Sequence, residues 1–277
     1  MNITKIITHN GQAHLDEITA ISILLASSEG VPVIHRVHEV DPADLKDEET
    51  AVVDVGRQHD AGRLNLDHHQ DVELPSSMYL AANIAGISDE AMRRLGYEFF
   101  DVADRRGRKV ALSWAGHNGQ FDNPLARRII DAFSEAKSLQ SHDWLYQMLL
   151  DVGGRILRYQ TELEAAKKIL DKRYSERMTL DEGGSIDIIE VEAPVRGALR
   201  DLLHDDEVVK YDVSVTQSDR EEGVVVLWRS FDVEDLVDFR RIGGEPGVTF
   251  VHNAGFMACY REDRNTALRL IRKAAGM

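Results

Sequence analysis

Within the first 70 residues, three short apolar segments each run straight into histidine or aspartate. Residues 3–8 (ITKIIT) are rich in β-branched side chains and pass into His9 and His14, with Asp16 just beyond. Residues 51–55 read AVVDV and carry Asp54 near their end. Residues 64–67 lead into Asp67, His68 and His69. Short runs of this kind predict buried strands. Residues 33–37 are a further strand candidate. Between the first two strands, Ile18, Ile21, Leu24 and Leu25 have helical spacing, with Asp16 and Glu17 in a first turn that suits the helix dipole. Helices are also predicted over 76–85 and 89–103. Strands alternating with helices over the first ~110 residues predict an α/β layer with a mainly parallel sheet.

Ligands of open α/β sheets bind beyond the carboxyl ends of the strands. Three separate segments therefore deliver His and Asp to one rim. His mixed with carboxylate is a metal-ligand set, and two divalent ions about 3.5–4 Å apart can grip the oxygens of a phosphate. Nitrogen and oxygen ligands suit Mn²⁺, Mg²⁺ or Zn²⁺. Each residue alone has an ordinary reading. A strand-end His caps or lies on the surface, Asp16 and Glu17 are first-turn acids, and Asp54 before Gly56 is a turn residue. Their joint occurrence, and the adjacency of His68 and His69, favour the metal. The residues alone lead to a dinuclear hydrolase site with no named substrate.

The formal net charge is −15, from 33 Lys plus Arg against 48 Asp plus Glu. This argues against a broad surface for duplex phosphates, which needs clustered positive charge. It leaves a nuclease open, because bound metal supplies positive charge locally. The one cysteine, Cys259, allows no disulfide within the chain and no four-Cys zinc cluster, and reads as a small buried residue. The amino terminus has no signal-peptide core, and the apolar stretch at 18–26 is too short to span a bilayer. A cytoplasmic protein with no membrane association is expected, and a homo-oligomer is allowed.

Farther along, 125–136 is a predicted helix, and 144–174 a long one with Gly153-Gly154 as a kink. After 181–184 the texture changes. Strands are predicted at 186–191, 208–216, 223–228, 248–251 and 256–260, with helices at 196–203 and 263–275. A chain of 277 residues is one large domain or two ordinary ones. The boundary is placed near 140, giving a metal-binding catalytic domain over 1–140 and a connector helix plus a smaller C-terminal α/β domain over 141–277. Trp114, Trp144 and Trp228 read as core. His35, His38, His59, His117, His142 and His204 have no motif context.

Four segments, THNGQAHLDE at 8–17, VVDVG at 52–56, DHHQ at 67–70 and FVHNAGF at 250–256, together resemble the Myg-type metal-dependent hydrolases of the DHH phosphoesterase superfamily. The resemblance implies an N-terminal DHH-like domain and a C-terminal domain across a cleft that holds the active site. It implies manganese-dependent phosphoester hydrolysis, with the 3′–5′ exoribonuclease activity attributed to eukaryotic members. His9 and Asp54 are then ligands of a first ion, and Asp54 bridges to a second held by Asp16 and His68. His14 stands where other DHH enzymes place a carboxylate, and is a further ligand. His69 faces the substrate phosphate, and Asp67 orients His68. The fourth acidic motif corresponds to FDVADRRG at 100–107, with Asp104 favoured over Asp101 as ligand. There Arg105 replaces the family's Asn, and the Gly is displaced to 107.

His252, in FVHNAGF, reads as a contact to phosphate or sugar, or as a structural His. Arg240 and Arg241 read as a phosphate clamp, or as a solvated pair. Arg105, Arg106, Arg108 and Lys109 form the densest basic run, an approach for a polyanion or a solvated surface. The expected function is metal-dependent phosphoester hydrolysis of nucleotides or short single-stranded oligonucleotides, exonuclease-like, through hydroxide activated by two divalent ions, Mn²⁺ first and Mg²⁺ or Zn²⁺ next. The competing readings are a small-molecule phosphatase or pyrophosphatase of the same superfamily, and a metal-binding regulatory protein without turnover.

Overall fold

The computed structural model describes residues 1–116, 124–181, 183–261 and 264–277. His117, Glu182 and Asp263, each part of a reading above, lie outside the described residues. The chain divides into two compact units, Met1–Gln160 and Thr161–Met277. The division falls inside a long helix, whereas the sequence places its boundary just before that helix.

The strands of the first unit are β1 (Lys5–His9), β2 (Val33–Val37), β3 (Thr50–Val53), β4 (His59–Asp60), β5 (Asn65–Leu66) and β6 (Ser138–Leu139). They form one sheet in the order β4-β5-β3-β1-β2-β6. The inner strands β5, β3, β1 and β2 run parallel, and β4 and β6 add antiparallel edges. A parallel sheet is covered on both faces, so its strands are apolar throughout instead of alternating. Every residue of β3 is buried.

The helices of this unit are α1 (Leu15–Ser27), α2 (Ser77–Ile84), α3 (Asp89–Arg94), α4 (Glu98–Arg106), α5 (Arg108–Trp114), α6 (Pro124–Glu135) and α7 (Trp144–Leu170), the last of which runs past the division. The helix predicted over 89–103 is broken in two. Gly96, at φ 83°, takes a left-handed conformation that a continuous helix cannot hold. The added helix α5 has no counterpart in the sequence reading. Trp114 and Trp144 are 53% and 66% exposed, so the expectation that they are core is wrong. Each stands at a helix terminus, where an apolar neighbourhood in sequence does not guarantee a covered face. α7 continues through Gly153-Gly154 without interruption. Gly153 serves close packing instead: a Cβ there would lie 1.8 Å from the carbonyl oxygen of Ser22 in α1.

The second unit carries β7 (Tyr174–Thr179), β8 (Ser185–Pro194), β9 (Val213–Gln217), β10 (Val225–Arg229), β11 (Val248–Val251) and β12 (Met257–Tyr260), with α8 (Gly197–Leu203) and α9 (Arg264–Ala274). The sheet order is β11-β12-β10-β9-β8-β7. β8 and β9 pair in parallel, with α8 as the crossover that parallel neighbours need. The other pairs are antiparallel. Ile186, Leu227, Phe239, Tyr260 and Leu270 are central to its core. Trp228 packs on Phe256, ring centroids 4.9 Å apart, and Cys259 is half-buried.

Candidate metal centre

Three parallel strands of the first unit end level with one another. Thr8 pairs with Val53, and Val53 with Leu66. The next residue of each segment, His9, Asp54 and Asp67, therefore emerges on the same rim of the sheet. Asp54 leaves the ladder in the left-handed region, at φ 57°. That conformation costs a non-glycine residue about 1–2 kcal/mol, although Asp tolerates it better than most. Gly56, at φ 96°, lets the chain turn there.

His9 Nδ1 donates to the Asn10 carbonyl at 2.8 Å. Its Nε2 faces Glu17 Oε2 at 2.6 Å and Asp54 Oδ2 at 3.5 Å. The carboxylates of Asp54 and Glu17 push the imidazole up to about 10. Asp54 Oδ1 accepts from the Ser77 hydroxyl at 3.1 Å and lies 3.4 Å from His68 Nε2. Burial opposes ionisation of Asp54, but His68 and His9 outweigh it and hold the carboxyl well below the usual range.

Asp16 does more than sit in the first turn of α1. Its carboxylate accepts the backbone N–H groups of Ser77 and Met78 at 3.1 and 2.9 Å, where α2 begins. A helix N-terminus favours an anion there. Burial, followed by the charges of Asp54 and Asp104, nevertheless pushes Asp16 up to about 8. His68 Nε2 stands 2.9 Å from Asp104 Oδ2. Burial lowers this imidazole, yet Asp104 and Asp54 carry it up to about 10. Asp101 has other partners: it accepts from the Ser76 N–H at 2.9 Å and lies 3.5 Å from Arg105 Nε. His14 is the N-cap residue of α1 but makes no side-chain hydrogen bond to the helix, and its Nδ1 is 3.7 Å from Asp104 Oδ1.

Asp67 binds His69 and not His68. Its Oδ1 accepts from the His69 backbone N–H at 2.9 Å and from His69 Nδ1 at 2.8 Å, while Oδ2 accepts from the Arg57 N–H at 2.7 Å. The cause is local, because an Asp that opens a turn loops its carboxylate back to the residue two positions on. This hydrogen bond, the largest influence on His69, raises its pKa.

Ligand atoms of three sets lie within 4.8 Å of one another: His9, His14 and Asp54; Asp54, His68 and His69; Asp16, His68 and Asp104. Asp54 belongs to two of them. Asp54 Oδ2, His68 Nε2 and Asp104 Oδ2 are buried and make no well-aligned hydrogen bond among the described residues, although His68 Nε2 and Asp104 Oδ2 face each other as an ion pair. Clustered buried carboxylates with unpartnered oxygens are costly unless a cation neutralises them. The donor set, all N and O, fits a divalent metal.

Glu17, a first-turn acid by its position in sequence, also faces this centre. It is wholly buried, accepts from the Thr8 hydroxyl at 2.8 Å, and has Arg36 Nη2 3.6 Å from Oε1. The available signal was its place beside Asp16 at the head of a continuously apolar helix.

The remaining predicted site residues lie in the second unit. His252 follows β11; its Nδ1 accepts from the Ala254 N–H at 3.1 Å and its ring packs on Phe256 at 4.0 Å. Arg240 is paired with Asp238 through Nε and Nη2 at 2.9 and 2.7 Å. Arg241 Nη1 donates to the Ala274 carbonyl at 2.8 Å. In the first unit, Arg105 of the basic run donates to the Leu74 carbonyl at 3.0 Å.

Residues 5–76 match the sequence profile of the family MYG1_exonuc, described as "Uncharacterised protein family (UPF0160)". The match spans THNGQAHLDE, VVDVG and the Asp-His-His segment, and assigns this stretch to the Myg-type branch; FVHNAGF lies outside it. No curated protein matches the chain. Among solved structures, the DHH domain of a protein described as a member of a ribosomal-protein family is 15% identical, with 98% of this chain and 86% of that chain covered and a TM-score of 0.33. The pGpG-specific phosphodiesterase PggH of Vibrio cholerae is 14% identical, with 98% and 96% covered and a TM-score of 0.28. RecJ of Thermus thermophilus, in complex with Mn²⁺, is 13% identical, with 98% and 51% covered and a TM-score of 0.31. No helix among the described residues is long and apolar enough to cross a membrane.

Proposed function

We propose that this chain, whose residues 5–76 are of the Myg-type branch, is a metal-dependent phosphoesterase acting on nucleotides or short single-stranded oligonucleotides. One observation carries the reading: the ligand atoms of His9, His14 and Asp54 form one set and those of Asp16, His68 and Asp104 another, and Asp54 Oδ1 of the first lies 3.4 Å from His68 Nε2 of the second. Two divalent ions, when bound, polarise phosphoryl oxygens and bring the pKa of water toward neutrality. His9, His14 and Asp54 would hold one; Asp16, His68 and Asp104 would hold the other, with Asp54 between them. Mn²⁺ is the first candidate, then Mg²⁺ or Zn²⁺.

The chain's own residues have distinct tasks. Asp67 fixes His69 by Nδ1 and leaves Nε2 for the substrate, on a side chain 51% exposed. An imidazole with its pKa raised by Asp67 is well suited to donate to a phosphoryl oxygen as charge develops there. His252 would bind the non-reacting part of the substrate, which accelerates the reaction only by positioning the phosphoester.

The second reading is a small-molecule phosphatase or pyrophosphatase of the same superfamily, for which Arg240 and Arg241 are the candidate phosphate clamp. Both guanidinium groups are engaged within their own unit, which weakens the case for a clamp on a phosphate chain. Purified protein with Mn²⁺ assayed against diester, monoester and pyrophosphate substrates separates the two. Mononucleotide release from an oligomer supports the first, and phosphate release from pyrophosphate alone supports the second. Metal binding with no turnover on any of them leaves the regulatory reading.

A further inference from the structure

An open pocket of about 320 Å³ on the first unit is lined by His9, His14, Asp54, Asp67 and His69. Arg57 lines it too, and among these residues it alone carries a charge that stays positive at every working pH. Its side chain is exposed and makes no hydrogen bond or ion pair among the described residues. Arg105, Arg240 and Arg241, the arginines that motif and charge single out in the sequence, are by contrast engaged elsewhere. The backbone of Arg57 is held at φ 51°, in the left-handed region. Glycine takes that conformation freely, whereas Arg holds it against a steric cost. Strain of this kind clusters at functional sites. Asp67 is what fixes it: Oδ2 accepts from the Arg57 N–H at 2.7 Å, while Oδ1 accepts from His69 Nδ1 at 2.8 Å. One carboxylate thus anchors both the Arg57 backbone and the ring that faces the substrate phosphate.

We infer that Arg57 is a substrate-binding residue whose guanidinium holds a phosphoryl group adjoining the one that is cleaved. A diester phosphate has two non-bridging oxygens, and two metal ions and His69 occupy both. A guanidinium presents a fork of N–H donors that matches two oxygens of one phosphate, so its oxygens come from a neighbouring group. In a chain of net charge −15, a fixed positive charge at this mouth also offsets the repulsion that a second phosphate meets. The inference rests on the phosphoesterase reading and narrows its substrates to those with at least two phosphoryl groups in succession, as in an oligonucleotide or a phosphoanhydride.

The test uses the full chain with Mn²⁺ and a trinucleotide containing two phosphodiesters. Its two isomers, each with one phosphodiester replaced by a neutral methylphosphonate, keep every base and leave one cleavable bond. Binding of all three and hydrolysis of the remaining bond are measured, with hydrolysis of inorganic pyrophosphate in parallel. Arg57→Gly removes the guanidinium and suits the backbone; Arg57→Lys keeps the charge and loses the fork. The parent should prefer the trinucleotide over at least one isomer by about ten- to a hundredfold, the range of one charge-assisted contact. Arg57→Gly should bring that ratio close to one with no fall in melting temperature, and Arg57→Lys should lie between. A loss confined to the trinucleotide assigns the neighbouring group to an oligonucleotide, and one confined to pyrophosphate assigns it to a phosphoanhydride. Equal ratios in parent and Arg57→Gly, with pyrophosphate turnover also unmoved, would overturn the role of Arg57, and hydrolysis by both would leave the phosphoesterase reading intact. If the parent hydrolyses nothing, yet binds the trinucleotide preferentially and Arg57→Gly abolishes this, the Arg57 contact stands and the phosphoesterase reading falls.

Discussion

Glu17 Oε2 lies 2.6 Å from Nε2 of His9, with Glu17 wholly buried and Arg36 close to its other oxygen. The Asn10 carbonyl holds Nδ1 of the same ring, so Glu17 meets the nitrogen that faces Asp54 and stands at the edge of the centre itself. Glu17→Gln should therefore lower Mn²⁺ affinity about 10- to 100-fold, because it removes a buried negative charge beside the bound cation. It should also destabilise the fold, because Arg36 loses the charge facing it. Titration with Mn²⁺, beside thermal unfolding, checks both. Unchanged affinity would mean that Glu17 serves only Arg36.

The two adjacent histidines should separate by phenotype. His68→Ala removes a buried nitrogen that faces Asp54 and Asp104, and should lower metal occupancy. His69→Ala should retain metal and lose turnover. Asp67→Asn should resemble His69→Ala, since it disturbs the Nδ1 partner, with turnover down about 10- to 100-fold. Elemental analysis of the three variants decides the matter, and equal metal loss in His68→Ala and His69→Ala would refute the division of tasks.

Metal addition should stabilise the protein, and more so at higher pH. His9 and His68 are both pushed up to about 10, so without metal their protons favour the fold fully below about pH 6.5. That contribution is lost as pH rises toward 10. Metal needs the same nitrogens unprotonated, so its binding releases protons and strengthens over the same window. At 100 times its dissociation constant, metal adds about 2.7 kcal/mol. Melting curves with and without Mn²⁺ at pH 6.5 and pH 8.5 should show the larger increment at the higher pH; a smaller one would contradict the assignment of His9 and His68 as ligands.

Gly153→Ala tests the packing of α7 on α1. A Cβ would stand 1.8 Å from the Ser22 carbonyl oxygen and 2.9 Å from Ala26 Cβ, both on the neighbouring helix. Overpacking of this kind costs about 1–3 kcal/mol. A chemical-denaturation midpoint equal to the parent's would show that the helices separate without penalty.

The strand-end rim was legible because its residues sit where pattern is strongest: β-branched runs that end at His9, Asp54 and Asp67. What pattern could not show is direction. Asp67 precedes both histidines in sequence, and only the turn reveals that its carboxylate returns to His69. Glu17 was concealed by its own plausibility as a first-turn acid. The break at Gly96 and the exposure of Trp114 and Trp144 depend on how helix ends pack, which apolar spacing does not encode. Asp101 and Asp104 differ only in helical phase, so the geometry of α4 separates them: one meets Ser76 and the other His68.

The central claim is that Asp54 joins two metal-ligand sets into one hydrolytic centre. Its most direct test is release of mononucleotide from a short single-stranded oligonucleotide, by the parent and by Asp54→Asn, as Mn²⁺ is titrated into metal-stripped protein. The account predicts no turnover without metal and turnover that rises with Mn²⁺ in the parent. It predicts a loss of at least about 10²-fold in Asp54→Asn at every metal concentration. Turnover that survives stripping, or Asp54→Asn acting at the parent's rate, would contradict it.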